Sequence, residues 1–152
     1  EYANRRQQLD EGFEMRFHMR QDSEAYLLGV VFTNPGIMTA APYEVKDADH
    51  WAFVGTGLKN GDVFGTESQH MRIPGGASGH ETDKISPRFS PANVELLAKG
   101  TNADAGGADM VVHEPGGGGG VFSTGSITYI SSLLVSDAVS RLTANVVRRF
   151  LA

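Results

Sequence analysis

The chain has 152 residues, of which 40% are hydrophobic and 20% charged, a composition typical of one ordinary globular domain. Its formal net charge of -5 argues against a nucleic-acid partner, and no stretch approaches the roughly 20 apolar residues of a membrane-spanning helix. The sequence has no cysteine, which excludes disulfides and thiolate metal sites and favours a cytoplasmic location.

The N-terminal part of the chain predicts a short helix and two strands. Residues 2–11 are polar with good helix formers and end at Gly12. Residues 13–20 alternate apolar and charged or polar side chains, the pattern of a half-buried edge strand. Residues 26–33 form a continuous run, Tyr-Leu-Leu-Gly-Val-Val-Phe-Thr, before Asn-Pro-Gly, which predicts a core strand buried on both faces.

The middle of the chain is irregular. Residues 37–85 are rich in glycine, with one apolar island at residues 51–54. A long irregular stretch inside a compact domain is usually functional, so we expect it to hold the site residues. Residues 94–100 and 108–114 then predict two neighbouring strands separated by an Asn/Asp/Gly turn.

The last part of the chain has the clearest pattern. Residues 120–130 predict a strand, and a helix is expected from about Asp137. An apolar stripe recurs along this helix at Val139, Leu142, Val146 and Phe150. A strand followed by a helix that packs back on the sheet is typical of α/β proteins. We therefore predict one α/β domain over residues 1–152, with a mainly parallel or mixed sheet, flanking helices and a long Gly-rich irregular insertion.

Several stretches of the sequence resemble the C-terminal domain of the N,N-dimethylformamidase large (beta) subunit. Residues 120–127, Gly-Val-Phe-Ser-Thr-Gly-Ser-Ile, and the helix at residues 139–151 carry the closing motif. Three other stretches agree in order and spacing: residues 28–33, the Gly-rich turn Gly-Gly-Ala-Ser-Gly-His-Glu-Thr-Asp-Lys at residues 75–84, and residues 108–111. The resemblance extends over about residues 25–151.

The resemblance implies an amidotransferase-like fold and a part in an iron-dependent amidohydrolase of formamide degradation. Such an enzyme hydrolyses N,N-dimethylformamide, or a related small N-substituted formamide, to an amine and formate. The implied partners are a small subunit and a second large subunit in a hetero-oligomer. In the family the iron is held by two tyrosines and a glutamate that lie upstream of the matching segment, so we expect no metal ligand here and no activity from the isolated chain.

The chain opens Glu1-Tyr2 with neither an initiator Met nor an apolar signal core, and we interpret it as the C-terminal fragment of a larger subunit. Its expected role is to wall the active site and support subunit contacts. The alternative is a noncatalytic interaction or scaffold domain that keeps the same fold without a site.

The first candidate site lies at residues 80–83, His-Glu-Thr-Asp, which place an imidazole and two carboxylates directly after glycines. Glu81 could orient or deprotonate a water molecule during hydrolysis, with His80 beside it. The alternative is that these are solvated turn residues.

A second candidate is Glu44, which lies between Tyr43 and Val45. A buried carboxylate near an aromatic ring has a raised pKa and can act as an acid or base at neutral pH. The alternative is a surface glutamate. Tyr43 is a conceivable iron ligand, although it lacks a placed partner, and His50 lies next to Trp51 on the same irregular stretch.

The remaining motifs carry weaker functional interpretations. His113 and Glu114 end a predicted strand, where α/β sheets present ligand-binding groups, although a loop tip fits equally well. The five histidines show no HExxH or other ligand spacing, so no self-contained zinc site is predicted. The glycines at residues 116–120 precede a strand instead of opening a helix, which favours a flexible connection over a phosphate-binding loop.

Overall fold

The computed structural model describes residues 23–152, so the predicted helix at residues 2–11 and strand at residues 13–20 lie outside the described residues. The described part contains nine strands: β1 Val31–Thr33, β2 Ala40–Ala41, β3 Tyr43–Val45, β4 Val63–Phe64, β5 Ser78–Gly79, β6 Thr82–Lys84, β7 Glu95–Gly100, β8 Asp109–His113 and β9 Val121–Ser123. Its helices are α1 Ala25–Leu28, α2 Tyr129–Ser132 and α3 Asp137–Leu151, with a 3-10 turn at Trp51–Phe53. No helix in this part is both long and apolar enough to cross a membrane.

The largest sheet has five strands in the order β4-β3-β7-β8-β9, and every neighbouring pair is antiparallel. The predicted strand pair at residues 94–100 and 108–114 is confirmed, because β7 and β8 are adjacent, with Leu96 opposite Val111. The register shifts between Leu96 and Ala98, which marks a β-bulge at this point of β7. All five residues of β8 are buried, as expected for a strand covered on both faces.

The predicted fold class is wrong. The structure has mostly antiparallel strands in small sheets, not the mainly parallel or mixed sheet of an amidotransferase-like α/β fold. Parallel neighbours need a crossover of a dozen or more residues, usually a helix. Here residues 101–108 join β7 to β8 and residues 114–120 join β8 to β9, and both connections are short and glycine-rich. The long helix α3 comes only after β9, so it cannot serve as a crossover between these strands.

The Gly-rich stretch at residues 37–85 is part of the fold and not an insertion into it. It supplies β3 and β4 to the large sheet and three further strands to two small sheets, in which β1 pairs with β6 and β2 pairs with β5. The isolated bridge between Thr82 and Ser126 connects β6 to the segment that follows β9. These small sheets therefore lie beside the end of β9.

The core lies between the large sheet and α3. The predicted helical stripe is confirmed at Val139, Leu142 and Val146, which are buried, whereas Phe150 is partly exposed and lies 6.3 Å from the Trp51 ring between centroids. The sheet residues of the same core include Tyr43, Val45, Leu97, Met110 and Val112. The side-chain amide of Asn145 donates to the carbonyls of Ala52 and Val54 at 2.9 and 2.7 Å, which holds the 3-10 turn against the helix.

Residues 26–33 do not form the single strand that their apolar run predicts. A helical turn, α1, occupies Ala25–Leu28 and ends at Gly29, whose φ of 79° is left-handed. Only then does β1 begin at Val31. The left-handed turn favours glycine, and a Cβ at Gly29 would lie 3.1 to 3.3 Å from the side chains of His113, Val111 and Val94, which would have to shift slightly. Apolar content alone does not separate a short strand from a buried helical turn.

Candidate functional site

A small cavity of about 270 Å³ lies where α1, β6 and the segment after β9 meet. Its walls combine apolar, hydroxyl and carboxylate groups and are formed by Leu28, Val30, Glu81, Asp83, Ser123, Thr124, Gly125, Ser126 and Ile127. We call it the Glu81 cavity. Among Glu44, His80 and Glu81, Glu81 is the residue that lines this cavity.

The turn that presents Glu81 joins β5 to β6 and is held from both sides. His80 adopts a left-handed conformation with φ of 71°, and its backbone exchanges hydrogen bonds with Thr39 and Met38 at 2.8 and 2.9 Å. A non-glycine residue with positive φ is uncommon and stores backbone strain. The left-handed conformation of His80 turns the chain sharply after Gly79. Glu81 follows this turn and has an exposed side chain.

Ser126 connects this turn to the segment after β9. Its hydroxyl accepts a hydrogen bond from the Gly79 N–H at 2.7 Å and donates to the Ala77 carbonyl at 2.9 Å, with the Gly79 carbonyl also within 3.2 Å. The N–H of Asp83 donates to the Gly125 carbonyl at 2.8 Å. These bonds place both carboxylate residues of the cavity relative to its opposite wall. They also engage the Ser126 proton with backbone acceptors.

Two buried tyrosines lie beneath this segment. The Tyr43 hydroxyl donates to the Thr124 carbonyl at 2.7 Å, and burial raises the pKa of Tyr43 well above its usual range. The Tyr129 hydroxyl forms a hydrogen bond of 2.7 Å with the Thr143 hydroxyl, and burial raises the pKa of Tyr129 to about 12. Both phenols are therefore neutral near pH 7. Tyr43 supports the Thr124 carbonyl of the cavity wall, whereas Tyr129 joins α2 to α3.

Glu44 lies apart from the Glu81 cavity. It is in β3 opposite Lys99 of β7, and Lys99 in turn lies opposite Asp109 of β8. The Glu44 carboxylate pairs with Lys46, while the Lys99 ammonium is 2.6 Å from the Asp109 carboxylate. Glu44 is thus half-exposed in a row of alternating charges that crosses the sheet, and it is not among the residues that line the Glu81 cavity.

His80 precedes Glu81 but does not line the cavity either. Its ring lies 5.5 Å from the His70 ring between centroids, and its Nδ1 is buried without a hydrogen-bond partner among the described residues. The Nδ1 of His70 accepts a hydrogen bond from the Ile73 N–H at 2.9 Å. The structure therefore pairs His80 with another imidazole and does not bring His80, Glu81 and Glu44 into one cavity.

His50 and His113 hold backbone segments in place. The Nδ1 of His50 accepts from the Ala52 N–H at 3.2 Å and caps the 3-10 turn, and burial lowers the pKa of His50 in spite of Glu95 at 4.0 Å. The Nε2–H of His113 donates to the Leu27 carbonyl at 2.7 Å and fixes α1 on β8. Glu114, the other residue of that predicted pair, is exposed.

The opposite wall of the cavity, residues 123–127, was not among the sites predicted from sequence. The sequence does contain a signal for this wall, because the Gly-Ser motif at residues 125–126 belongs to the closing motif that carries the resemblance. The strand predicted at residues 120–130 is wrong beyond Ser123, because Gly125 has a left-handed φ of 64° and a helix begins at Tyr129. Asp83 was named in the motif at residues 80–83, and the structure places it in the same cavity as Glu81.

The described residues contain no group of three His, Asp or Glu side chains arranged to hold a metal ion. The buried tyrosines use their hydroxyl protons in hydrogen bonds, as described above. The residue types and geometry of this part therefore do not fit an iron centre held by two tyrosines and a glutamate.

Comparison with known proteins identifies the family. Residues 1–141 match the family described as N,N-dimethylformamidase beta subunit-like, C-terminal. That description names part of a formamidase, which is a hydrolase, and a beta subunit, which is one component of a multi-subunit enzyme. Among curated proteins, none matches the sequence at a significant level. The family match covers well over half of the chain, and the protein therefore belongs to the N,N-dimethylformamidase beta subunit-like C-terminal family.

Proposed function

We propose that this chain is the C-terminal part of an amidohydrolase that cleaves N,N-dimethylformamide, or a related small N-substituted formamide, to an amine and formate in the cytoplasm. The family match over residues 1–141 is the observation that carries this proposal. The domain would wall the active site and support contacts with a small subunit and a second large subunit.

The Glu81 cavity supports the assignment of a site wall. At about 270 Å³ it lies just below the usual range of ligand pockets, about 300 to 1,000 Å³, and so suits a small molecule better than a large one. Apolar side chains on one wall and two carboxylates on another are compatible with an N-alkyl amide and a water molecule. Glu81, which is exposed at the cavity, would orient or deprotonate that water.

Iron in the complete enzyme is part of the proposal, with ligands outside residues 23–152. We assign no step of the reaction to it, because the described residues do not fit the expected ligand set. What this chain would supply is a positioned carboxylate on a turn fixed by Ser126. Groups that orient metal ligands or substrate commonly change activity by tenfold to a hundredfold when they are removed.

A second candidate function is a noncatalytic interaction or scaffold domain. The observation that favours it is the separation of the predicted site residues, since Glu44 lies in the charged row across the sheet and His80 pairs with His70. Under this alternative the carboxylates of the Glu81 cavity are solvated and make no contact with a substrate.

Substitutions in the complete enzyme distinguish between the two proposed functions. We expect Glu81→Gln to lower kcat for N,N-dimethylformamide by about tenfold to a hundredfold, because the change removes the charge and keeps the shape. Glu44→Gln is the matched control, since it makes the same chemical change outside the cavity, and it should stay within about twofold of the unmodified enzyme. If Glu81→Gln and Asp83→Asn both leave kcat and KM unchanged, the scaffold function replaces the proposal.

A further inference from the structure

A second cavity of about 560 Å³ lies between α3 and the loop that follows the 3-10 turn. Its walls are formed by Gly55, Thr56, Asp137, Ala138, Ser140, Arg141, Ala144 and Arg148. We call it the arginine groove. It shares no lining residue with the Glu81 cavity.

The two arginines of this groove lie on one face of α3. They are seven residues apart, which is two helical turns or about 10 Å along the axis. Both side chains are exposed, and neither forms an ion pair with any residue in 23–152. Ala144 lies between them and leaves the floor of the groove open.

The opposite wall of the groove is the loop that carries Gly55 and Thr56. Gly55 has a left-handed φ of 73°, and its N–H has no hydrogen-bond partner in the described part of the chain. The loop is held at a fixed distance from α3, because Asn145 donates to the carbonyls of Ala52 and Val54. The loop wall of the groove is thus held in place opposite the two arginines of α3.

The charge of the groove is opposite to that of the chain as a whole. Arg141 and Arg148 outnumber its single carboxylate, Asp137, which lies in the first turn of α3 where the helix dipole favours a negative charge. The whole chain carries a formal charge of -5. A positive groove on an acidic protein is complementary to an acidic ligand.

We propose that the arginine groove binds an acidic segment of another protein component of the enzyme. Guanidinium groups bind carboxylates with paired, charge-assisted hydrogen bonds, and the spacing of the two arginines suits carboxylates from an extended segment better than a single small anion. A protein source fits a domain whose family is defined as part of a beta subunit. This inference rests on the proposed function, because it assigns a named surface to the subunit contacts proposed above, and it is tested independently of the hydrolysis.

The test uses the full 152-residue chain with hexaglutamate as the acidic probe and hexaglutamine as its uncharged counterpart. Binding is followed at low salt by the NMR shifts of the Gly55 amide and of the arginine Nε–H groups. We expect hexaglutamate to shift Gly55, Arg141 and Arg148 together and hexaglutamine to shift none of them. The affinity should fall at least about fivefold in the double variant Arg141→Gln, Arg148→Gln.

Arg149→Gln is the matched control, because Arg149 lies on the same helix but over the Trp51 ring, 5.9 Å from its centroid. It should change the affinity by less than about twofold, and far-UV circular dichroism should show that each variant is folded. The proposal fails if Gly55 does not shift, or if Arg149→Gln weakens binding as much as the double variant. Equal affinity for glutarate at matched carboxylate concentration would also overturn it, since that result assigns the groove to a free dicarboxylate.

Discussion

At the scale of single residues, the Glu81 cavity depends on a few buried hydrogen bonds. Ser126 both accepts from the Gly79 N–H and donates to a backbone carbonyl, so it joins β5 to the segment after β9. The buried Tyr43 hydroxyl supports the neighbouring Thr124 carbonyl from below. None of these groups is assigned a catalytic step, but their hydrogen bonds fix the position of the turn that carries the Glu81 carboxylate.

Replacement of Ser126 by alanine should destabilise the chain by about 1 to 3 kcal/mol, because the Gly79 N–H would lose its acceptor without access to water. The loss is measured as the decrease in the free energy of unfolding, determined by urea denaturation. Ser131→Ala is the control, because it also removes a serine hydroxyl, but one that makes no side-chain hydrogen bond with the described residues. We expect its free energy of unfolding to change by less than about 0.5 kcal/mol. Equal effects of the two changes would contradict the role of Ser126.

His50 should make the folded chain less stable at acidic pH than at neutral pH. Burial lowers its pKa in the folded chain below the ordinary value of 6.5, so the unfolded chain binds the proton more readily. The stability contributed by neutral His50 is complete above pH 6.5 and is lost as the pH falls from there through the lowered pKa.

The matched variant for this prediction is His50→Asn, which keeps a side-chain acceptor for the Ala52 N–H but does not titrate. Urea unfolding of both proteins at pH 7.5 and pH 5.5 should show that the unmodified chain loses more stability on acidification. Parallel losses in the two proteins would show that His50 has no part in the pH dependence.

At the scale of elements, connection length and glycine content decide the topology. The short links between β7, β8 and β9 permit antiparallel pairing only, and this overrides the α/β interpretation suggested by a strand followed by a helix. Residues 94–100, 108–114 and 137–151 were predictable because their apolar periodicity is strong and their ends carry turn or capping residues. Residues 26–33 were not, because Gly29 divides one apolar run into a helical turn and a strand.

Replacement of Gly29 by alanine tests that division. The left-handed φ costs about 1 to 2 kcal/mol for an L-residue, and the new Cβ would in addition lie 3.1 Å from His113. Gly57→Ala is the control, because Gly57 has a similar φ of 75° but no atom within 4 Å of the added Cβ. We expect thermal unfolding to show a larger loss for Gly29→Ala, and equal losses would mean that the packing of α1 on β8 adds nothing.

At the scale of the whole molecule, the site candidates separate into two regions. Glu81 and Asp83 lie at the edge of the large sheet with the segment after β9, whereas Glu44 lies within the charged row across the sheet face. The arginine groove lies at a third place, along α3. This arrangement suits a domain that forms one wall of a catalytic site and uses another surface for assembly.

The isolated chain should fold but should not hydrolyse N,N-dimethylformamide or bind stoichiometric iron, because the described residues provide no ligand set for the metal. Formate release and metal analysis of the purified chain measure both properties. The positive control is the complete multi-subunit enzyme. Turnover together with bound iron in the isolated chain would overturn the proposed division of the catalytic machinery.

The sequence by itself determined the closing helix, the β7–β8 pair and the family, since these depend on periodicity and motifs that neighbouring residues carry. Only the tertiary structure decided the direction of the strands and the separation of Glu44 from Glu81. Both depend on pairing between segments far apart in the chain, such as β3 with β7 and Thr82 with Ser126. Those pairings are selected by packing throughout the core, and no local sequence pattern specifies that packing.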